Sequence, residues 1–313
     1  MLLKKGSKGK EVKDLQQFLG LTADGIFGSK TEEAVKKWQW ENGLTMDGIV
    51  GPETSKYMGL MSTDLSETVY TTSNGLSIEQ YFLPKGEYLE GPTKKEYAFL
   101  HHTAGWHKPK QVVDSWGRDK RGPVGTEFVL GGQSIKGNST KYDGELLQCM
   151  PEGDCGWHLG IGRTYMHTHS VGIEVCAFGQ LTQGGYYKKI NKKKVWISKD
   201  KNKFYTYVGT EAHPEQIAKL SQEFRGFKHY HKYSDKQIEV LKNWILFIAD
   251  RDNIDVRDGL VKWIKEDGPF KAFEFNGNAY YGKVKGLLTH TNIKSGKWDM
   301  FPQPELIDML VSL

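Results

Sequence analysis

From Val12 to Gly20 the apolar residues Val12, Leu15, Phe18 and Leu19 follow the spacing of one helical face, and Gly20 closes the run. That pattern predicts a helix. Ser29 with Glu32 reads as a capping box, and Ala34, Val35 and Trp38 behind it share a face, which predicts a second helix. Pro52 stands where the first turn of a third would accept it. Between these segments LTADGIFGSKT (Leu21–Thr31) recurs as LTMDGIVGPET (Leu44–Thr54), offset by 23 residues. Each copy holds an Asp-Gly turn, an apolar residue, a Gly and a helix start. The result is a small three-helix domain over residues 1–61.

The pattern then changes. Residues 62–78 are rich in Ser, Thr and other polar residues with little periodicity, and read as a linker. Beyond it, EYAFLHH and SVGIEVCAF are apolar and partly β-branched, the signature of buried strands. Ser234 and Gln237 open a helix whose Ile238, Leu241, Ile245 and Ile248 lie three, four and three apart. Strands interleaved with helices predict an α/β domain over residues 79–313, a mixed central sheet flanked by helices. The lysine-rich tract Lys188–Val208 divides into two β-prone halves around Lys199–Lys203, which predicts a hairpin. Its interleaved Trp196, Phe204, Tyr205 and Tyr207 suit nucleic acid, but no nucleic-acid motif accompanies them, and a solvated surface hairpin is the expectation.

Composition narrows the picture slightly. A chain of 313 residues is more than one core usually organises, which agrees with two domains. Mean hydropathy is −0.57, and no apolar run is long enough to span a bilayer. The opening MLLKKGSKGK has no apolar h-region, so no Sec signal peptide is expected and synthesis ends in a cytoplasm. Cys149, Cys155 and Cys176 are too few for a disulfide framework, and six positions between the first two match no zinc-ribbon spacing. A net charge of +5 favours an anionic partner without choosing among nucleic acid, membrane and cell wall. A monomer is expected.

Candidate chemistry begins at FLHHTAGWH (Phe99–His107). Neighbouring side chains on a strand point to opposite faces, so His101 and His102 cannot both face one ion, and His107 lies past Gly105 where the chain has turned. One ligand from this stretch is the expectation. A catalytic zinc needs three protein ligands, and LLTHTNIKSGKWDMFP (Leu287–Pro302) offers His290 and Asp299 if its loop folds back. Lys297, two positions before Asp299, would suit stabilisation of an oxyanion. On spacing alone, an ordinary His and a solvent-facing Lys–Asp pair fit equally well.

Four motifs in order, FLHHTAG, GWHLGIG, SVGIEV and THTNIKSGKWD, resemble the zinc-dependent N-acetylmuramoyl-L-alanine amidases, a family that includes phage lysozyme-type amidases and peptidoglycan recognition proteins. The resemblance covers most of residues 80–313, with the tract from about 180 to 230 least matched. The doubled D-G-I-x-G-x-x-T of residues 1–61 resembles the peptidoglycan-binding modules appended to wall hydrolases. The resemblance implies His101, His290 and Asp299 as zinc ligands and Lys297 as the catalytic lysine. One branch of the family uses a Tyr in V-G-Y-H-F as its base. Here the stretch is VGTEF, and Thr126 cannot replace a phenol in acid–base work. Another branch uses a Glu in S-I-G-I-E, which SVGIE matches at Glu174; Glu127 is the weaker alternative. His158 resembles a pocket-wall histidine, and Trp157, Thr126 and His102 complete the expected substrate-binding set, with His102 and His107 as neighbours in packing or at the cleft rim.

The expected function is a zinc-dependent peptidoglycan hydrolase that cuts the amide between N-acetylmuramic acid and L-alanine. The expected setting is a phage endolysin that waits in the host cytoplasm and acts at the wall, with peptidoglycan and not nucleic acid as its partner. The alternatives are a non-catalytic peptidoglycan sensor, which usually lacks the third ligand, and a wall hydrolase that cuts another bond. A glycosidase would need two carboxylates and no metal.

Overall fold

In a computed structural model, which describes residues 3–42, 44–51, 54, 55, 58 and 69–313, the chain divides into two compact units, Met1–Thr68 and Val69–Leu313. In the first, helices Lys10–Phe18 and Ser29–Glu41 bury Val12, Leu15 and Val35 with Leu3, Phe27, Val50 and Met58. Thr54 and Ser55 are helical, while Pro52 and most of the expected third helix lie outside the described residues. The expected capping box is absent. Ser29 is already the first helical residue after Gly28, with no side-chain cap, and Glu32 is drawn instead to Lys36 at 3.0 Å and Lys5 at 3.3 Å.

The repeat runs deeper than its apolar pattern. Gln16 donates to Asp24 Oδ1, the Ile26 carbonyl and Thr31 Oγ1 at 2.8, 3.0 and 3.2 Å, and accepts from the Gly25 amide at 2.8 Å. Gln39 does the same with Asp47, Ile49, Thr54 and Gly48 at 2.8, 2.8, 3.1 and 2.9 Å. Both glutamines are almost fully buried, and each holds an Asp-Gly turn whose glycine has φ of 75°. Replacing Gln39 by Ala strands several buried polar groups at once. It should cost the N-terminal unit about 2–3 kcal/mol, read by hydrogen exchange as lost protection at the Gly48 and Ile49 amides. Unchanged protection there would contradict this account of the turn.

The second unit is built on a seven-stranded mixed sheet in the order β1-β2-β5-β4-β6-β3-β13. Its strands are β1 (Val69–Thr71), β2 (Ser77–Gln80), β3 (Tyr97–His102), β4 (Phe128–Leu130), β5 (Leu146–Gln148), β6 (Ser170–Val175) and β13 (Gly286–Thr289). β4, β6, β3 and β13 are mutually parallel neighbours. One sheet face packs its Ala98, Leu100, Val171 and Ile173 on helix Asp235–Asp252, joined by helices Leu260–Asp267 and Pro304–Val311. The Ser234–Gln237 capping box is present, Ile238, Leu241, Ile245 and Ile248 are buried as their spacing predicts, and Asn253 in the left-handed region ends the helix. Helix Pro109–Trp116 covers part of the other face. Near β3 and β13 the cover is Leu159, Met166, Ala279 and Ile293.

The linker expected over 62–78 is corrected from Val69 onward; its first part, to residue 68, lies outside the described residues. β1 and β2 form an antiparallel pair whose turn is closed by the Thr72 amide on the Leu76 carbonyl, with Gly75 at φ 80°. The polar run is the turn, and Leu76 and Ile78 are its two core anchors. The lysine-rich tract is a hairpin, but its turn is misplaced by the sequence reading. β8 (Gly185–Ile190) pairs with β9 (Lys193–Ser198) through Asn191 and Lys192, both at positive φ, as a two-residue hairpin turn requires. Residues 199–203 instead lead into β10 (Phe204–Tyr205), which pairs with β7 (Thr182–Gln183), and β11 (Ile217–Phe224) then pairs antiparallel with β12 (Phe227–His231).

Candidate active site

The site lies at the C-terminal ends of three neighbouring parallel strands, where open α/β sheets commonly place their chemistry. On β3, His101 stands opposite Glu174 of β6, so the two side chains share one face. His290 follows β13 directly, one step beyond the Thr289–Leu100 pair, and therefore lies in line with His101. A buried Asn292 pins this turn through the Ala272 and Glu274 carbonyls at 2.8 and 2.9 Å. The following loop folds back to bring Asp299 in. Arg225 holds that loop by the Ser295 and Lys297 carbonyls, and pairs with Glu274 at 2.9 Å.

The three donor atoms converge. His101 Nδ1 is 3.0 Å from His290 Nδ1 and 3.3 Å from Asp299 Oδ2, and His290 Nδ1 is 2.9 Å from the same oxygen. Ligand atoms about 2.0–2.1 Å from a tetrahedral zinc would sit roughly 3.3 Å apart, close to this spacing. Among the described residues this is the one His/Cys/Asp/Glu group whose donor atoms, all within 4.8 Å, could hold a metal ion.

The outward nitrogens fix the tautomers. His290 Nε2 donates to the Leu159 carbonyl at 2.8 Å, leaving a lone pair on Nδ1. Ser170 Oγ donates to the His167 carbonyl at 3.1 Å, so it accepts from His158 Nε2 at 2.8 Å. His158 Nδ1 then accepts from His101 Nε2 at 3.0 Å, and His101 Nδ1 also faces inward with a lone pair. Two lone pairs and a carboxylate aimed at one point repel each other unless a cation sits among them. The residues fit a zinc ion.

Electrostatics agree. Burial lowers His101 to about 4 and pushes His158 well below the usual imidazole range, keeping both rings neutral. Burial alone would raise Asp299, but the ring nitrogens of His101 and His290 facing it hold it far below the ordinary carboxylate range when they carry positive charge or protons; with lone pairs on those nitrogens, a cation among the three would supply that stabilisation. Glu174 moves the other way. Burial pushes its carboxyl well above the usual range, the Asp299 charge adds to this and Lys297 opposes it. Its Oε2 is buried without a hydrogen-bond partner.

Other expected residues fall elsewhere. His102 is on the opposite sheet face, buried beside Phe301 and Tyr233, whose hydroxyl lies 2.8 Å from its Nδ1; strand alternation removes it from a substrate-binding role. Thr126 is buried, donates its hydroxyl to the Phe128 carbonyl at 2.7 Å, and with His158 fills the space above Gly172, where a Cβ would meet both within about 3.1 Å. It is a packing residue rather than a cleft contact. Glu127 is buried in a bidentate pair with Arg251 at 2.7 and 3.1 Å, so the alternative base has no free oxygen to offer. Trp157 packs edge-on to His167 at 4.7 Å, and His107 lies against Tyr142. His158 stands behind His101 as its hydrogen-bond partner, a position that orients a donor rather than walls a pocket. An open concavity lined by Lys94, Asp255, Arg257, Lys262 and Lys265 lies at the N-terminal ends of β3 and β13, the opposite end of the strands from the site, and contains none of these residues.

Two imidazole nitrogens and a carboxylate oxygen, beside a carboxyl with one buried, unpartnered oxygen, are a donor set of the hydrolytic metal type. The chain belongs to the N-acetylmuramoyl-L-alanine amidase family, whose model matches residues 91–300. A second model, for a peptidoglycan binding domain, matches residues 8–58. A peptidoglycan-binding protein from Clostridioides difficile, solved with glutamine hydroxamate, is 42% identical over 19% of this chain and 40% of its own, with a TM-score of 0.19. A fused Zn-dependent amidase/peptidase/peptidoglycan-binding domain-containing protein from Clostridium acetobutylicum is 32% identical over 24% of this chain and 37% of its own, TM-score 0.19. The Escherichia coli amidase AmiD, solved with anhydro-N-acetylmuramic acid-L-Ala-D-γ-Glu-L-Lys, is 17% identical over 56% of this chain and 55% of its own, TM-score 0.28. The chain thus spans between about a third and just over half of the length of these proteins. None of the curated proteins is significantly similar to it.

Proposed function

We propose that this chain is a zinc-dependent peptidoglycan hydrolase that cuts the amide between N-acetylmuramic acid and L-alanine, and that it serves as a phage endolysin made in the host cytoplasm and acting at the wall. The observation that carries the reading is the convergence of His101, His290 and Asp299 beside Glu174, in a chain of the amidase family. A zinc ion held by the three donors would polarise the scissile carbonyl and acidify a water. Glu174 takes the proton of the attacking water and passes it to the departing amine of L-alanine. Lys297, on the loop fixed by Arg225, supplies positive charge to the oxyanion that forms during attack. His158 and Ser170 hold the His101 ring in the tautomer that presents Nδ1. The N-terminal unit would keep the enzyme on its insoluble substrate and raise the local concentration of bonds to cut.

Mass spectrometry of digested, purified peptidoglycan tests the reading. Free α-amines on L-alanine with intact muramic acid support it; new reducing sugar ends, or new termini deeper in the stem peptide, overturn it. Replacing His158 by Phe keeps a ring of similar size but removes the acceptor for His101. Zinc affinity should fall about 10–100-fold, measured by competition with a chelating dye, and unchanged affinity would contradict the positioning role.

A pH dependence follows from Glu174. It is a base only when ionised, and its pKa is raised by burial. Activity should therefore fall as pH drops through a value above the 4.5 of a free glutamate, and that acid limb should be absent from the residual activity of a Glu174→Gln variant. A limb at or below the ordinary carboxylate value would contradict the assignment.

A further inference from the structure

The hairpin β8–β9 is a strongly charged feature that the amidase chemistry leaves unused. Residues 188–203 hold eight lysines and one aspartate, a net charge of +7 in a chain whose total is +5, so the remainder sums to −2. All eight lysines are exposed, and among the described residues only Lys203 is ion-paired, with Glu211 at 2.7 Å. Lys189 and Lys194 stand directly opposite each other across the ladder, a like-charge pair that weakens a hairpin standing alone. On the same face the next pair is Tyr187 and Trp196, 4.9 Å apart and edge-on, 48% and 41% exposed. Lys194 lies over the Tyr187 ring at 4.3 Å.

The hairpin is rooted beside the catalytic end of the sheet. Its chain leaves β6 just after Glu174 and returns through Tyr207, whose hydroxyl donates to the Ala104 carbonyl at 2.8 Å, three residues past His101. Phe178 packs between Trp106 and Tyr207 at that root.

We propose that this hairpin is a docking arm for a phosphodiester-linked glycopolymer of the cell wall, held alongside the cleft while the amide is cut; the proposal rests on the wall-hydrolase reading above. Charge complementarity selects a polyanion, and a bound chain of negative groups would relieve the Lys189–Lys194 repulsion. The arm contains no arginine. Its ammonium groups would therefore hold successive phosphodiesters as point charges, without the bidentate geometry of a guanidinium fork. The exposed Tyr187–Trp196 pair beside those cations gives a flat apolar surface for the sugar or polyol between successive phosphates.

The test compares binding of the full chain to purified walls, to the same walls stripped of phosphodiester polymer by hydrofluoric acid, and to the released polymer. Wild type should bind intact walls about tenfold more tightly than stripped ones at low salt, with the difference shrinking at high salt. The combined variant Lys189→Gln, Lys193→Gln, Lys194→Gln should bind both wall types alike. The control variant Lys262→Gln, Lys265→Gln, Lys283→Gln, with three exposed charges lost outside the hairpin, should keep the wild-type preference. Equal wild-type binding to both walls overturns the proposal. So does a preference that survives in the hairpin variant, or one lost equally in the control. Duplex DNA that competes better than the released polymer at equal phosphate would assign the arm to nucleic acid and overturn it as well. Release of L-alanine amines from stripped walls is scored separately, so a failed amidase reading shows as intact preference without cleavage.

Discussion

Changing Glu174 to Gln should lower turnover by about 10²–10⁴-fold with zinc content unchanged. Gln keeps the shape and the neutral hydrogen-bonding capacity of the protonated acid but cannot accept the proton of the attacking water. Glu174 sits opposite His101 without being one of the three converging donors, so the metal centre should survive. The same change has a stability signature of definite sign. Burial raises the folded-state pKa of Glu174, so ionising it above pH 4.5 costs the native state more than the unfolded one. Metal-free Glu174→Gln should therefore melt higher than metal-free wild type at neutral pH, and the gap should close as pH falls to 4.5 and below. Loss of turnover together with loss of zinc, or melting curves that coincide at every pH, would mean that Glu174 is not a buried base.

Arg251→Ala is expected to destabilise the second unit by about 3–5 kcal/mol, measured by urea unfolding. The Arg251 side chain is 9% exposed and that of Glu127 only 2%, and Lys95, whose charge also reaches Glu127, spends its hydrogen bonds on the Gly153, Asp154 and Thr168 carbonyls. Burial opposes the guanidinium charge, but Glu127 and Asp252 outweigh it and keep Arg251 ionised. Removing Arg251 leaves a carboxylate buried with Gln148 as its remaining donor, at 3.0 Å. The double change Glu127→Gln, Arg251→Met removes both charges, and should cost less than Arg251→Ala alone. A double variant worse than the single one by the full cost of each would show that the pair contributes packing rather than charge compensation.

What the sequence revealed follows from how local each signal is. Helix Asp235–Asp252 was legible because its cap and its buried stripe lie within one run of residues. The paired Asp-Gly turns were legible as a repeat, yet Gln16 and Gln39 were not, since a buried glutamine looks like a surface residue until its turn is in place. Strand alternation separates His101 from His102, and the same rule places His102 on the far sheet face against Tyr233, away from substrate. The fold-back of Lys297 and Asp299 depends on Arg225, seventy-odd positions earlier, and no periodicity links them. The chain from His101 through His158 to Ser170 joins three segments that meet only in the folded sheet. Glu127 and Glu174 look alike in sequence; a buried Arg251 distinguishes the structural carboxylate from the free one.

The central claim is that one zinc ion among His101, His290 and Asp299 enables hydrolysis of the lactyl–L-alanine amide. The direct measurement is amine release from purified peptidoglycan by metal-stripped protein titrated with zinc, in parallel with Asp299→Ala. The account predicts no release without metal, full recovery at one zinc per chain, and neither tight zinc binding nor release in Asp299→Ala. Release by the stripped protein at the restored rate, or recovery of Asp299→Ala to wild-type activity by one zinc, would contradict it.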